Sequence, residues 1–308
     1  MEIALQFVLL ALGFVMLGKG ADWFVEGAAG IAMRFGIPQL VIGLTIVAMG
    51  TSAPEAAVSI AAAVKGNADI TIGNILGSNI LNILVILGLA ASIVPIAVAR
   101  STVRIEIPFM IGVTALLFYQ GRDGSISLAD GGVLMVAFAA YMMYLYTMAM
   151  KSNVDSDLEE PGLPLGRCLL GAVGGLALII AGSNVTVGAA TSIATYAGLS
   201  ESFIGLTIVA LGTSLPELFT SVAAARRGNA DIAIGNIVGS NIFNILFVVG
   251  LSSLIIDIPF ASAFNFDTYV ALGAAVLLWL CVLRTQRLQR WAGALMLVCY
   301  AAYLGYIL

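Results

Sequence analysis

Residues 43–89 read GLTIVAMGTSAPEAAVSIAAAVKGNADITIGNILGSNILNILVILGL, and residues 205–251 read GLTIVALGTSLPELFTSVAAARRGNADIAIGNIVGSNIFNILFVVGL. The two stretches align without a gap at a constant offset of 162, with 33 of 47 positions identical. The identities include polar and backbone-special residues. Gly50, Thr51, Ser52, Pro54, Glu55, Asn74, Ser78, Asn79 and Asn82 recur as Gly212, Thr213, Ser214, Pro216, Glu217, Asn236, Ser240, Asn241 and Asn244. A glutamate inside apolar text, written twice, is the feature around which the chain is organised.

The surrounding composition sets the medium. The chain is 61% hydrophobic and 10% charged, with a mean hydropathy of +1.07, against about 25% charged for a soluble domain. It reads as an all-α integral membrane protein. Ten apolar runs, centred near residues 12, 50, 82, 112, 140, 178, 212, 244, 275 and 298, approach the ~20 residues that a membrane-crossing helix needs. They leave no soluble enzyme domain, and nothing in the composition points to a nucleic-acid partner. The absence of histidine excludes imidazole zinc sites and Ser-His-Asp triads. Cys168, Cys281 and Cys299 lie far apart in apolar text, as small core residues do. The first positive charge is Lys19, so a cleaved signal is not expected and the first segment should remain.

Ten crossings divide the loops into two sets. One holds Arg34, Arg100, Arg104, Lys151, Arg167, Arg226, Arg227, Arg284, Arg287 and Arg290, and the other only Lys65 and Arg122. The basic side is cytoplasmic by the positive-inside rule, so both termini are expected on the extracytoplasmic side of the cell's inner membrane. Residues 1–150 and 163–308 carry five segments each, joined by a short acidic cytoplasmic linker at 151–162. Five is odd, so the second half enters the bilayer upside down. Such inverted repeats are typical of secondary transporters, with the site near mid-membrane. The similarity extends weakly to Gly20, Ile31 and Ala32, paired with Gly182, Ile193 and Ala194, and fades in the last two segments of each half, which read as scaffold. Gly13, Gly18, Gly20, Gly171, Gly174, Gly175 and Gly182 give the first segment of each half small surfaces suited to sliding. The Asp155, Asp157, Glu159 alternation in the linker lacks the glycine and terminal glutamate of a calcium loop and reads as solvated chain.

Within each repeat the spacing points to cations. Pro54 removes a helix donor, so carbonyls from Ala48 to Thr51 are expected to loosen, as are those from Ala210 to Thr213 before Pro216. Thr51 and Glu55, four apart, would share a helix face. Carbonyl, hydroxyl and carboxylate are all hard oxygen donors of the kind that Ca2+ and Na+ select. Asn74, Ser78 and Asn82 form one stripe on the next helix, as do Asn236, Ser240 and Asn244. Gly73, Gly77, Gly235 and Gly239 permit close helix approach. Glycines and asparagines also serve as packing and interhelical glue, but acids at this depth are rare and functional.

The GTSxPE blocks, each followed by GNIxGSNIxN, resemble the alpha repeats of the calcium/cation antiporter superfamily, in particular its sodium/calcium exchanger branch. The resemblance spans the full ten-segment plan. It implies antiport of Na+ against Ca2+ by alternating access, with no cofactor and no obligatory protein partner. Glu55 and Glu217 would be the central calcium ligands, assisted by Thr51 and Thr213. Ser52, Ser78, Ser214 and Ser240, with the carbonyls of Ala48 and Ala210, would help form flanking sodium sites, and Asn82 and Asn244 would line the centre. Some members carry aspartate at the position of Asn244, a replacement associated with potassium co-transport, so potassium dependence is not implied here. The proton-coupled branch writes Gly-Asn-x-x-Glu around its acid, which disfavours H+/Ca2+ exchange. A cation channel is the rival class, since acids also line pores.

Overall fold

The computed structural model describes residues 2–152, 163–198 and 210–307. The described residues are nearly all helical. In order they form α1 (Glu2–Phe35), α2 (Gln39–Thr51), α3 (Ala53–Val64), α4 (Ile70–Ile93), α5 (Thr102–Asp123), α6 (Leu128–Lys151), α7 (Leu165–Tyr196), α8 (Ala210–Thr213), α9 (Leu215–Arg226), α10 (Ala230–Ile255), α11 (Phe264–Leu283) and α12 (Arg290–Ile307). Eight of these are long and apolar enough to cross a bilayer, and α2 with α3 makes a ninth span bent by 51°. The tenth expected crossing is described only from Ala210, and residues 205–209 of the second repeat and linker residues 153–162 lie outside the described residues. The three cysteines are free.

Local signals duplicate along with the sequence. Gly36 and its 162-related Gly198 adopt φ of +62° and +83° beyond the ends of α1 and α7. Gly66 and Gly228 both adopt +79° after α3 and α9. Left-handed backbone at a helix stop is the conformation that glycine adopts without a side-chain clash. After Gly66, the N–H of Asn67 returns to the carbonyl of Ala62, and after Gly228 that of Asn229 returns to Ala224, at 2.9 Å in each case.

The offset also survives where sequence similarity has faded. Four two-residue strands, β1 (Ile96–Ala97), β2 (Ser125–Ile126), β3 (Ile258–Pro259) and β4 (Arg287–Leu288), lie in the loops between the later helices. β1 and β3 differ by 162 positions, as do β2 and β4. The pairing is between halves: β1 runs antiparallel to β4, and β2 to β3. Each half thus reaches across to the other, once on each face of the helix bundle. Trp279 of α11 adds another tie, its Nε1 donating to the carbonyl of Val103 at 2.8 Å.

Burial sorts the helices into layers. α4 and α10 have 78% and 94% of their most apolar windows buried, whereas α1, α6 and α12 have 17%. The two repeat helices that carry the asparagine stripes are therefore the core. α1 and α7 lie outside it, packed along each other. A Cβ on Gly20 would come within 2.9 Å of the Gly175 carbonyl, and one on Gly175 within 2.7 Å of the Gly20 carbonyl. Gly13, Gly171 and Gly182 face the same seam, but Gly18 and Gly174 do not, having nothing within 4 Å. At the basic end, Arg227 after α9 pairs with Asp22 and Glu26 of α1 at 3.2 and 3.1 Å.

Close approach in the core follows the expected glycines in one half. A Cβ on Gly239 would meet Leu44 backbone and Ala48 at 2.8 Å, and one on Gly235 would come within 3.1 Å of Gly43. A Cβ on Gly73 would meet the Phe264 ring at 3.4 Å; residues 205–209, the sequence counterparts of 43–47, lie outside the described residues.

Filling the α1–α7 seam should be costly. Gly20→Leu is expected to destabilise the protein by about 1–3 kcal/mol, the usual cost of overpacking, and Gly18→Leu to change little, as read by thermal unfolding in detergent.

Candidate cation site

The site forms where the two bent segments meet the two core helices. Pro54 falls in the first turn of α3, where a missing donor is tolerated, and the chain breaks at Ser52, with φ −81° and ψ 6°. Ser214 repeats this before Pro216, with φ −91° and ψ 4°. Only part of the expected loosening occurs. The Ala48 carbonyl keeps a bond from Ser52 N at 3.0 Å, because the break begins one residue after Thr51. Ser240 Oγ of the other half also faces this carbonyl, at 3.4 Å. Ala210 opens α8 in the matching place.

A bend lies between Thr51 and Glu55. Thr51 Oγ1 faces two carbonyls of its own helix, Val47 at 3.1 Å and Ala48 at 3.3 Å, and also reaches across the halves, 3.0 Å from Asn236 Oδ1 and within reach of Glu217. Thr213 correspondingly reaches Glu55. The serines at the breaks do the same. Ser52 Oγ donates to Glu217 Oε1 at 2.7 Å, and Ser214 Oγ to Glu55 Oε1 at 3.1 Å. Each half therefore holds the carboxyl group of the other.

The stripe residues complete the cluster. Asn74 Nδ2 donates to Ser59 Oγ at 2.9 Å and to the Glu55 carbonyl at 3.3 Å. Asn236 Nδ2 repeats both contacts, with Ser221 Oγ at 2.9 Å and the Glu217 carbonyl at 3.4 Å. Asn74 and Asn236 thus brace the acid-bearing helices from behind. Asn82 and Asn244 each open a π-helical stretch, Asn82–Leu87 and Asn244–Val249; such stretches recur at functional sites. α3 packs against the second stretch and α9 against the first. Ser78 is 5% exposed.

Sequence reasoning passed over Asn79 and Asn241. They lie between the two core helices, each donating Nδ2 to the other's backbone carbonyl at 3.2 Å. Asn82 Nδ2 then donates to Asn241 Oδ1 at 2.9 Å, and Asn244 Nδ2 to Asn79 Oδ1 at 3.1 Å. Their identity in both repeats was the available signal. Glu106 of α5 was also missed. It is fully buried and accepts a hydrogen bond from Tyr144, but its 162-related position is Thr268, so it falls outside the duplicated chemistry.

Four buried oxygens of the cluster have no hydrogen-bond partner among the described residues: Glu55 Oε2, Glu217 Oε2, Asn82 Oδ1 and Asn244 Oδ1. Their residues are at most 1% exposed. The two acids are near enough to interact electrostatically. Among the described residues, the only ion pairs are those of Arg227, so no lysine or arginine compensates the acids. An unpaired buried carboxylate is costly; an oxygen-seeking cation would remove that cost.

A mostly helical membrane chain, written twice and closing a pair of acids where the copies meet, has the organisation of a secondary cation transporter. Comparison with known proteins makes this specific. A family profile described as "Sodium/calcium exchanger protein" matches residues 5–147 and 168–308. The Alkalimonas amylolytica protein CaxA is 41% identical, covering 98% of each chain. The sodium/calcium exchanger MaX1 of Methanosarcina acetivorans is 33% identical, again over 98% of each. A structure of the sodium-calcium exchanger NCX_Mj superposes with a TM-score of 0.86 at 34% identity, covering 98% of this chain and 99% of the other. The chain belongs to the sodium/calcium exchanger family. It is a multi-pass membrane antiporter of the calcium/cation superfamily, a transporter and not an enzyme.

The crosswise bonds predict matched consequences. Ser52→Ala and Ser214→Ala each remove a hydrogen bond to a buried carboxyl group, expected to cost about 1–3 kcal/mol. Thermal unfolding in chelator-treated detergent should show similar losses for the two; a loss confined to one would contradict the pseudo-two-fold arrangement.

Proposed function

We propose that this antiporter exchanges Na+ for Ca2+ by alternating access, binding Ca2+ between Glu55 and Glu217. The observation that carries the reading is the set of four sealed, unpartnered oxygens, two carboxylate and two amide, contributed equally by the two halves. Ca2+ takes six to eight oxygens, and Thr51, Thr213 and backbone carbonyls stand beside the four. Ser52, Ser78, Ser214 and Ser240, with the carbonyls of Ala48 and Ala210, supply flanking oxygens for Na+. The family and the MaX1 and NCX_Mj relatives support Na+ and Ca2+ as the cargoes.

Charge explains obligatory exchange. Two ionised carboxylates without a counter-ion resist sealing in a medium of low dielectric. One Ca2+, or two Na+, brings the local sum to zero, and the loaded site closes and reopens on the other face. The empty carrier stays where it is. Mg2+ is disfavoured because it surrenders its water reluctantly.

The same reading places the termini on the extracytoplasmic side of the inner membrane and counts one crossing for the segment centred near residue 212. The β2–β3 ladder supports that assignment. Paired strands must lie on one face, and α6, α7 and α10 alone would put them on opposite faces.

Purified protein in liposomes is expected to take up radioactive calcium only when Na+ is trapped inside. Glu217→Gln should lower uptake about 100-fold or more, since leaving one partner of a buried charged site uncompensated costs about 3–5 kcal/mol. Uptake driven equally by a proton gradient would replace Na+ with H+ as the coupling ion. Uptake that follows voltage alone, without a counter-ion, would mark a channel.

A further inference from the structure

An amide side chain has an oxygen end and an NH2 end of nearly the same shape, so reversing it changes no packing. At Asn82 and Asn244 the reversal would matter: it would place a donor, with its positive hydrogens, where the proposed site needs an acceptor. We infer that Asn79 and Asn241 are positioning residues that fix the polarity of these two amides, each acting on the amide of the opposite half. The inference rests on the cation-site reading above and adds to it the means by which the central amides are held oxygen-inward.

The chain of necessity begins at a backbone carbonyl, which can only accept. The Asn241 carbonyl lies 3.2 Å from the side-chain amide of Asn79, so Asn79 must present Nδ2 to it. That leaves Asn79 Oδ1 facing Asn244 at 3.1 Å. An amide oxygen also only accepts, so Asn244 must present Nδ2 in turn. The remaining end of Asn244 is its Oδ1, which is buried with no hydrogen-bond partner among the described residues. The mirror relay starts at the Asn79 carbonyl, runs through Asn241 at 3.2 Å and reaches Asn82 at 2.9 Å. It too ends in an unpartnered oxygen. Asn79, Asn82, Asn241 and Asn244 are all at most 3% exposed, shielded from bulk solvent. Both relays cross between the halves twice, and the two repeats therefore dictate each other's site chemistry.

A carboxylate has no wrong end, and this provides the test. Equilibrium binding of radioactive Ca2+ to the purified full chain would be measured for wild type, Asn79→Leu, Asn244→Asp and the double variant, with Glu217→Gln as reference. Asn79→Leu should weaken Ca2+ binding about tenfold, because Asn244 is released to turn its NH2 inward. In the Asn244→Asp background the same Asn79→Leu change should cost nothing or improve binding, giving strong non-additivity in the double-mutant cycle. Equal costs in both backgrounds would mean that Asn79 is only packing, and would overturn the inference. Should Asn79→Leu be recovered unfolded, Asn241→Leu with Asn82→Asp poses the same question from the other half. Retained binding in Glu217→Gln would refute the underlying site; lost binding there with an additive cycle would refute only the relay.

Discussion

The structure turns on the hydrogen bonds that each half extends to the other's acid. Ser52 holds Glu217 and Ser214 holds Glu55, in a medium where an unsatisfied polar group is expensive. The rest of the fold serves this exchange. The helix breaks bring the serines round, the close-packed glycines let α10 approach α2, and the buried pair α4 and α10 supplies amides from behind and alongside. Neither repeat could satisfy its own glutamate alone. The duplicated sequence is therefore a requirement of the chemistry, since one copy would leave its carboxyl group without the donor that the other provides.

Much of this was legible in the text of the chain. The offset of 162 located both acids, the breaks, the stripes and the inverted plan, because polar residues in lipid are few and each carries meaning. The later helices were harder to read. Their lipid-facing positions accept any apolar residue, so sequence similarity faded while β1 and β3, like β2 and β4, kept the same spacing. Side-chain direction was also obscured. The four-residue spacing of Thr51 and Glu55 did not reveal the 51° bend between them, nor that Thr51 also reaches Asn236 of the other half. Asn79 and Asn241 escaped for a related reason. A stripe of Asn74, Ser78 and Asn82 steps four residues at a time and passes over Asn79, although Asn79 and Asn82 both reach Asn241.

The cross-half ladders have a mechanical consequence. With β1 sewn to β4 on one surface and β2 to β3 on the other, the N-terminal and C-terminal sequence copies cannot swing apart as two blocks without tearing both seams. The ladders leave α1 to α3 and α7 to α9 unsewn, and among these α1 and α7, one from each copy, lie together along a seam of glycine. The line along which the sequence doubled is thus not a line along which the structure can simply open: the two copies are sewn to each other at both surfaces.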